Sequence, residues 1–345
     1  MPFTFSHPLF AAPLNKLVPR LSIMGLALGS MAPDMEYFIA MEPYRSIGHE
    51  WQGFLLLGLP LSIACSAAFY SVLAPLLPRL LPSIGSLDRY AADRLSKTRL
   101  RAPASVSAWG WFLLSLYIGY LSHLFMDGMT HTNGWLVVRN TELMYERTAG
   151  LPTYRWLQYL FSLLGLLVYA IWLAFDYGRW RRVRSKTAQA VSPALASFEP
   201  SAFRSHRPLD KLALWFCASC VGLILLAPKI MFSEHPDNLV LWLVAGLSSA
   251  LFGFFSAGLL LNTPGKGRFI RAVGLLLLLV FAALFKASAI VREATSSPYE
   301  AGPIGLWIGY IWVFSILVWV LSSSGKRRQY AAVQPVSGSS SQRQV

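Results

Sequence analysis

The chain alternates long apolar runs with short polar connections, and the runs are of similar length. Gly53 to Leu77, Ala108 to Met126, Trp156 to Tyr177, Leu212 to Phe232, Leu239 to Leu261, Phe269 to Ile290 and Ile304 to Leu321 are each near the roughly 20 residues that a helix needs to cross about 30 Å of hydrocarbon. The pattern predicts an all-α, polytopic transmembrane helical bundle with seven spans. The N-terminal stretch is different. MPFTFSHPLFAAPLN is apolar but broken by Pro2, Pro8 and Pro13, and only Leu21 to Ala32 follows it before the next polar residues. A helix over Leu21 to Ala32 would be about 18 Å long, short for a span. This segment is either a short eighth span or a helical hairpin, with Pro8 to Leu14 and Leu21 to Ala32 as arms and Asn15 to Pro19 as the turn. The hairpin is the favoured reading, because Pro suits a first helical turn and Ser6 precedes Pro8. It would return Asp34 to the end that holds His7. Lys16 and Arg20 at its turn must reach water or headgroups, which keeps it shallow. Cleavage as a secretory signal is rejected, since Pro33 would follow the cut after Ser30-Met31-Ala32 and the basic residues come late.

The charges in the connections orient the spans. Arg79, Arg89, Arg94, Lys97, Arg99 and Arg101 fill the first connection, and Arg179, Arg181, Arg182, Arg184, Lys186, Arg204, Arg207 and Lys211 fill the third. Lys266, Arg268 and Arg271 mark the fifth, and Lys326 to Arg328 follow the last span, whereas Ser233 to Asn238 and Ala294 to Pro303 contain no Lys or Arg. By the positive-inside rule the odd connections and the C-terminus are cytoplasmic. The domains expected are an N-terminal membrane module over 1–177, a basic cytoplasmic linker over 178–211, a C-terminal four-helix membrane module over 212–322 and a disordered cytoplasmic tail over 323–345. Ser185 to Ser205 is the Ser, Ala and Pro-rich part of that linker, and the tail is Ser/Gln-rich.

Composition agrees with the pattern: 55% of the 345 residues are hydrophobic and 13% charged, well away from a soluble domain. The net charge of +14 sits in short loops, so it reads as a topology signal and a contact for anionic membrane lipid, with no nucleic-acid partner. Cys65, Cys217 and Cys220 lie inside apolar runs and read as small packed hydrophobes.

Chemistry concentrates at YLSHLFMDGMTHTNG, residues 120 to 134. His123, Asp127 and His131 are spaced i, i+4, i+8 and fall along one helical face. Neutral imidazole and carboxylate together suit a divalent cation. Gly128 can end the helix before His131, which ranks that residue below the other two. The segment follows the second span and is therefore outside, as is Pro33 to Gln52 with Asp34, Glu36 and His49. Two outward segments thus bring Asp34, His49, His123, Asp127 and His131 to one face of the membrane. Lys286 lies within a span near its outer end and reads as a snorkelling cation; Glu234, His235 and Asp237 read as a solvated loop.

The words MPFTFSHP, GSMAPDMEYF, SHLFMDGMTHTNGW and LQYLFSLLGLL resemble those of a bacterial integral-membrane family, domain of unknown function 4184, over roughly the first two thirds of the chain. The order His, Asp, His, then H-x-x-x-D also resembles the YdjM-type membrane-bound metal-dependent hydrolases. More distantly it resembles the zinc-dependent phospholipase C and P1 nuclease group, whose all-helical sites hold zinc and cleave phosphodiesters. The resemblance implies that His7, Asp34, His49, His123 and Asp127 are metal ligands. No later His and Glu at helical spacing complete a three-metal cluster, so one or two metals are implied. The metal expected is zinc, with manganese or iron as alternatives.

The function expected is metal-dependent hydrolysis of a lipid-linked or envelope-linked phosphate ester, on the outer face of a bacterial inner membrane. Glu36 or His131 would orient the water or protonate the leaving group. The competing reading is a non-enzymatic membrane protein, a transporter or assembly factor, whose His/Asp cluster is structural or binds a cation. A transporter predicts broken-helix pairs or midplane charges, and the sequence offers neither.

Overall fold

The computed structural model describes residues 4–97, 103, 105–190, 208–233, 236–261, 266–295 and 304–323, and nearly all of them are helical. Two-residue strands at Arg147–Thr148 and Leu151–Pro152 pair around a tight turn. Six helices among the described residues are long and apolar enough to cross a membrane: Phe54–Leu80, Thr153–Ser185, Leu209–Phe232, Leu239–Leu261, Gly267–Ala289 and Ile304–Ser323. The seventh expected span, 108–126, lies within one continuous helix, Val106–Thr130, which is long enough but carries Ser, Gly, Tyr, His and Asp on its inner face. Wide apolar surfaces are left bare, for example Leu163, Leu167, Trp172 and Phe175 on the helix after the second connection. Such patches fit a multi-pass membrane protein facing lipid. Much of the linker expected at 185–205, Glu234, His235 and the tail beyond Ser323 lie outside the described residues.

The N-terminal segment is the hairpin, not an eighth span. Short helices at Pro8–Ala11 and Leu14–Leu17 lead to a turn in which the Asn15 amide donates to the Leu21 carbonyl at 2.5 Å. The chain then returns as Ile23–Met31. This helix runs parallel to Val106–Thr130: the Ser22 amide donates to Ser115 Oγ at 2.8 Å, and eight residues later His123 Nδ1 meets the Ser30 carbonyl at 2.7 Å. The shared offset of 93 residues fixes the register. Close approach is possible because the contact is built from glycine. A Cβ at Gly29 would overlap the Leu116 backbone, and one at Gly119 would overlap Leu26 and Ser30, the small-residue packing that membrane helices use in place of hydrophobic drive. Ser115 is nine residues into its helix, so at about 1.5 Å per residue the returning arm begins about 14 Å short of the helix start. Lys16 and Arg20 at the turn are exposed, and Arg20 lies over the Trp111 ring at 5.8 Å. The hairpin is shallow, as its charges require.

The first membrane-length helix, Phe54–Leu80, contains two wide π turns, Phe54–Gly58 and Phe69–Leu73. Each ends two residues before a proline, Pro60 and Pro75, whose rings cannot donate and would clash with the carbonyl four residues back, inside the turn. Against this helix packs the last one, Ile304–Ser323. Trp307, Tyr310 and Ile311 share one buried cluster with Leu57, Leu61, Phe112, Leu116 and Tyr120. The C-terminal helices therefore enter the core of the N-terminal half, and the helix Thr153–Ala190 continues past residue 178.

Candidate metal centre

Three segments meet at the end of the bundle where Val106–Thr130 finishes. His123 and Asp127 occupy successive turns of that helix. Asp34 lies in the 3-10 turn Ala32–Asp34 that ends the returning arm of the hairpin, and His7 lies in the turn between Thr4–Ser6 and Pro8–Ala11. His49 comes from the connection before Phe54. The side chains of His7, Asp34, His49, His123 and Asp127 are 1, 0, 4, 0 and 8% exposed, so the five expected ligands are all gathered and buried.

Their atoms converge. His49 Nε2 is 3.2 Å from Asp34 Oδ1, 3.4 Å from Asp127 Oδ2 and 3.3 Å from His123 Nε2. His123 Nε2 is in turn 3.4 Å from Asp127 Oδ2 and 3.8 Å from Asp34 Oδ1. Four ligands bonded at about 2.0–2.1 Å to a tetrahedral ion stand about 3.3–3.4 Å from one another. Four of these five separations, 3.2 to 3.4 Å, are close to such edges, and the fifth, His123 to Asp34, is longer at 3.8 Å. The other oxygen, Asp127 Oδ1, faces His7 Nε2 at 3.6 Å, and the His7 ring stacks on His123 with centroids 3.9 Å apart. Asp34 Oδ1, both Asp127 oxygens, both His7 nitrogens and His49 Nδ1 are buried without a properly aligned hydrogen bond. Buried polar atoms without partners are rare and costly. Here several point toward one another, which suits residues that share a cation.

The surrounding groups prepare that arrangement. A carbonyl can only accept, so the 2.7 Å contact to Ser30 O puts a proton on His123 Nδ1 and turns the Nε2 lone pair inward. Thr4 donates to Asp34 Oδ2 at 2.7 Å, which leaves Oδ1 for the centre. Such outer partners are how proteins orient metal ligands.

The electrostatics tell the same story. Burial, with His123 beside it, pulls His7 down to about 3, so this imidazole is neutral at ordinary pH. Burial would raise Asp34, but His123 and His49 bring it below the usual carboxylate value. Burial likewise opposes charge on His49, yet its contacts with Asp127 and Asp34 push it up to about 9. Two buried carboxylates demand a positive charge between them. A proton on His49 or a metal ion can provide it.

The two residues expected to handle protons are placed differently. His131 follows the last helical turn, its Nδ1 3.0 Å from the Asp127 carbonyl and 3.6 Å from Asp127 Oδ2. Its side chain is 22% exposed, against 8% or less for the ligand set, so it stands at the mouth of the cluster. Glu36 is buried elsewhere. Its carboxylate accepts from Ser46 N at 3.0 Å, from the Ser46 hydroxyl, and from Trp307 Nε1 at 3.3 Å. Its described contacts include none of the five ligand-type side chains. Thr4, Ser30 and Tyr120, whose hydroxyl donates to the Gly48 carbonyl at 2.7 Å, support the cluster without any signal in their sequence spacing. Lys286, expected to snorkel, donates its ammonium to the Ala40 carbonyl at 2.7 Å.

A family model described as "Domain of unknown function (DUF4184)" matches residues 1–262. No curated protein and no solved structure matches the chain. The matched stretch contains all five gathered residues.

Proposed function

The chain belongs to the DUF4184 family, and we propose that it is a membrane-embedded, metal-dependent hydrolase of phosphate esters. The observation that carries this reading is the convergence of buried His and Asp atoms, in two overlapping groups of three that are each close enough to hold one cation. Nitrogen and oxygen donors in that geometry favour zinc, with manganese or iron as the alternatives. A divalent ion there supplies a Lewis acid for a phosphoryl oxygen and a water acidified to a pKa of about 7.

Asp34 Oδ1, His49, His123 and Asp127 Oδ2 alone would make a closed, structural site. Two features favour a reactive one. His7 Nε2 and Asp127 Oδ1 face each other beside that set, a second and incompletely furnished position. His131 Nε2 is buried without a hydrogen-bond partner, and burial holds this imidazole below its ordinary value, so it is a neutral base at the mouth. Its role is to take the proton of the attacking water or return one to the leaving oxygen. The positive-inside rule puts the mouth on the outer face of the inner membrane, where a lipid phosphate headgroup is the natural substrate.

Phosphate release from a diacyl or polyprenyl phosphate ester by the zinc-loaded protein in liposomes tests the reading. The expected result is turnover that chelation abolishes and that falls by about 10²–10⁴ in His131→Ala. Metal-loaded wild type no faster than His123→Ala on any phosphate ester favours the alternative, a structural site in a non-enzymatic membrane protein.

A further inference from the structure

The helices beyond the family-matched residues make contacts that the metal reading leaves unexplained. Both of them, together with Pro208–Phe232 inside the matched stretch, reach the same short stretch of chain. Trp307, on the last helix, donates to Glu36 at 3.3 Å and meets the Tyr44 ring at 5.0 Å. Lys286, on Lys266–Thr295, donates to the carbonyl of Ala40, the last residue of the helix Met35–Ala40. Lys229, near the end of Pro208–Phe232, pairs with Glu42. These partners lie between Asp34 and His49, in the segment that must reverse direction to bring both residues to one centre.

We propose that Glu36 and Trp307 are positioning residues, and that the C-terminal helices serve as a strap that holds the His49 segment in register with the metal centre. The proposal rests on the metal reading for its function and on the contacts for its structure. Glu36 is two residues beyond Asp34, in the helix Met35–Ala40 that continues directly from the Asp34 turn. Its carboxylate gathers the Ser46 amide and hydroxyl, three residues before His49. The Tyr120 hydroxyl reaches the carbonyls of Gly48 and Glu50, the residues flanking His49, and Tyr120 is three residues before His123 on the helix Val106–Thr130. The segment is thus pinned on both sides of His49 by the two elements that carry Asp34 and His123. Space is tight: a Cβ at Gly48 would meet Glu36 Oε1 at 2.6 Å. Trp307 closes the arrangement by donating to the carboxylate that does the pinning, and its ring packs on Phe285 and Tyr310. A buried Glu holding three donors is an expensive device for a loop. Its value is that His49 Nε2 reaches the centre already aligned.

The test uses the full-length protein in detergent, with Co(II) as the spectroscopic probe, and compares wild type with Trp307→Phe and Glu36→Gln. Phe keeps the aromatic packing and removes only the donor, so it guards against simple unfolding. Both variants are expected to bind Co(II) about 10–100-fold more weakly, as loss of an outer partner does. Their ligand-field spectrum is expected to shift while saturating stoichiometry is kept. In metal-free protein, amide exchange over residues 43–50 is expected to quicken roughly three- to tenfold, the range one lost hydrogen bond permits, with the helix Val106–Thr130 unchanged. Unaltered exchange in both variants overturns the strap. Failure of the wild type to bind Co(II), alongside quickened exchange in the variants, overturns the metal reading and leaves the strap standing.

Discussion

His123 makes the clearest case at the level of single residues, because its two nitrogens have different assignments. Nδ1–H donates to the Ser30 carbonyl, and Nε2 faces His49 and the two carboxylates. Asp34 is prepared in the same way by Thr4, so Thr4→Val should weaken zinc binding about 10–100-fold with the fold intact, as read by competition against a chromophoric chelator. A pH dependence follows from His49. Its value of about 9 means that the metal-free protein carries a proton there at neutral pH, and a metal must displace it. Zinc affinity should therefore rise as pH goes from 6 toward 9, with about one proton released per ion; calorimetry in buffers of different ionisation enthalpy measures that release. The ligand types were legible in the sequence, since His and Asp stand out in an apolar chain and their order was distinctive. The partners of Glu36, Ser46 and Trp307, gave no signal, because an acidic side chain reads the same whether it faces an ion or a backbone amide. Tyr120 and Thr4 gave no signal, because their partners are a carbonyl and a carboxylate far away along the chain.

At the scale of elements, the site depends on two helices touching over glycine. Gly25, Gly29 and Gly119 let Ile23–Met31 lie against Val106–Thr130 closely enough for the Ser30 carbonyl to reach His123. Gly29→Val should destabilise the fold by about 1–3 kcal/mol or more, lowering the thermal midpoint in detergent. It should also weaken metal binding, because the carbonyl that sets the His123 tautomer is carried away; the same midpoint with wild-type affinity would contradict this account. The hairpin could be inferred from length arithmetic, since Leu21 to Ala32 is too short to span, and from the charges at its turn. Its parallel register with a helix almost a hundred residues later could not. Nothing local in Gly25 or Gly119 names a partner, and the π turns before Pro60 and Pro75 answer a steric conflict that apolar periodicity does not record.

For the whole molecule, the apolar runs marked where the long helices lie, since a segment in lipid must satisfy its own backbone, although Thr153–Ala190 runs well past its apolar stretch. What they did not disclose was that the C-terminal helices share a core with the N-terminal half. That contact depends on Trp307, Tyr310 and Ile311 meeting Leu57 and Tyr120, and all of them read simply as apolar. The loop cations predict an outward-facing site: in Asn133→Cys, a membrane-impermeant thiol reagent should label the protein from outside intact cells, and labelling only after the cytoplasm is opened would invert the orientation. The central claim is that the buried His and Asp residues hold a metal. Elemental analysis of the purified full-length protein tests it most directly, with His123→Ala and Asp127→Ala as controls. One to two equivalents of zinc, manganese or iron are expected in wild type, with near-complete loss in both variants. Equally low metal in all three proteins would contradict it.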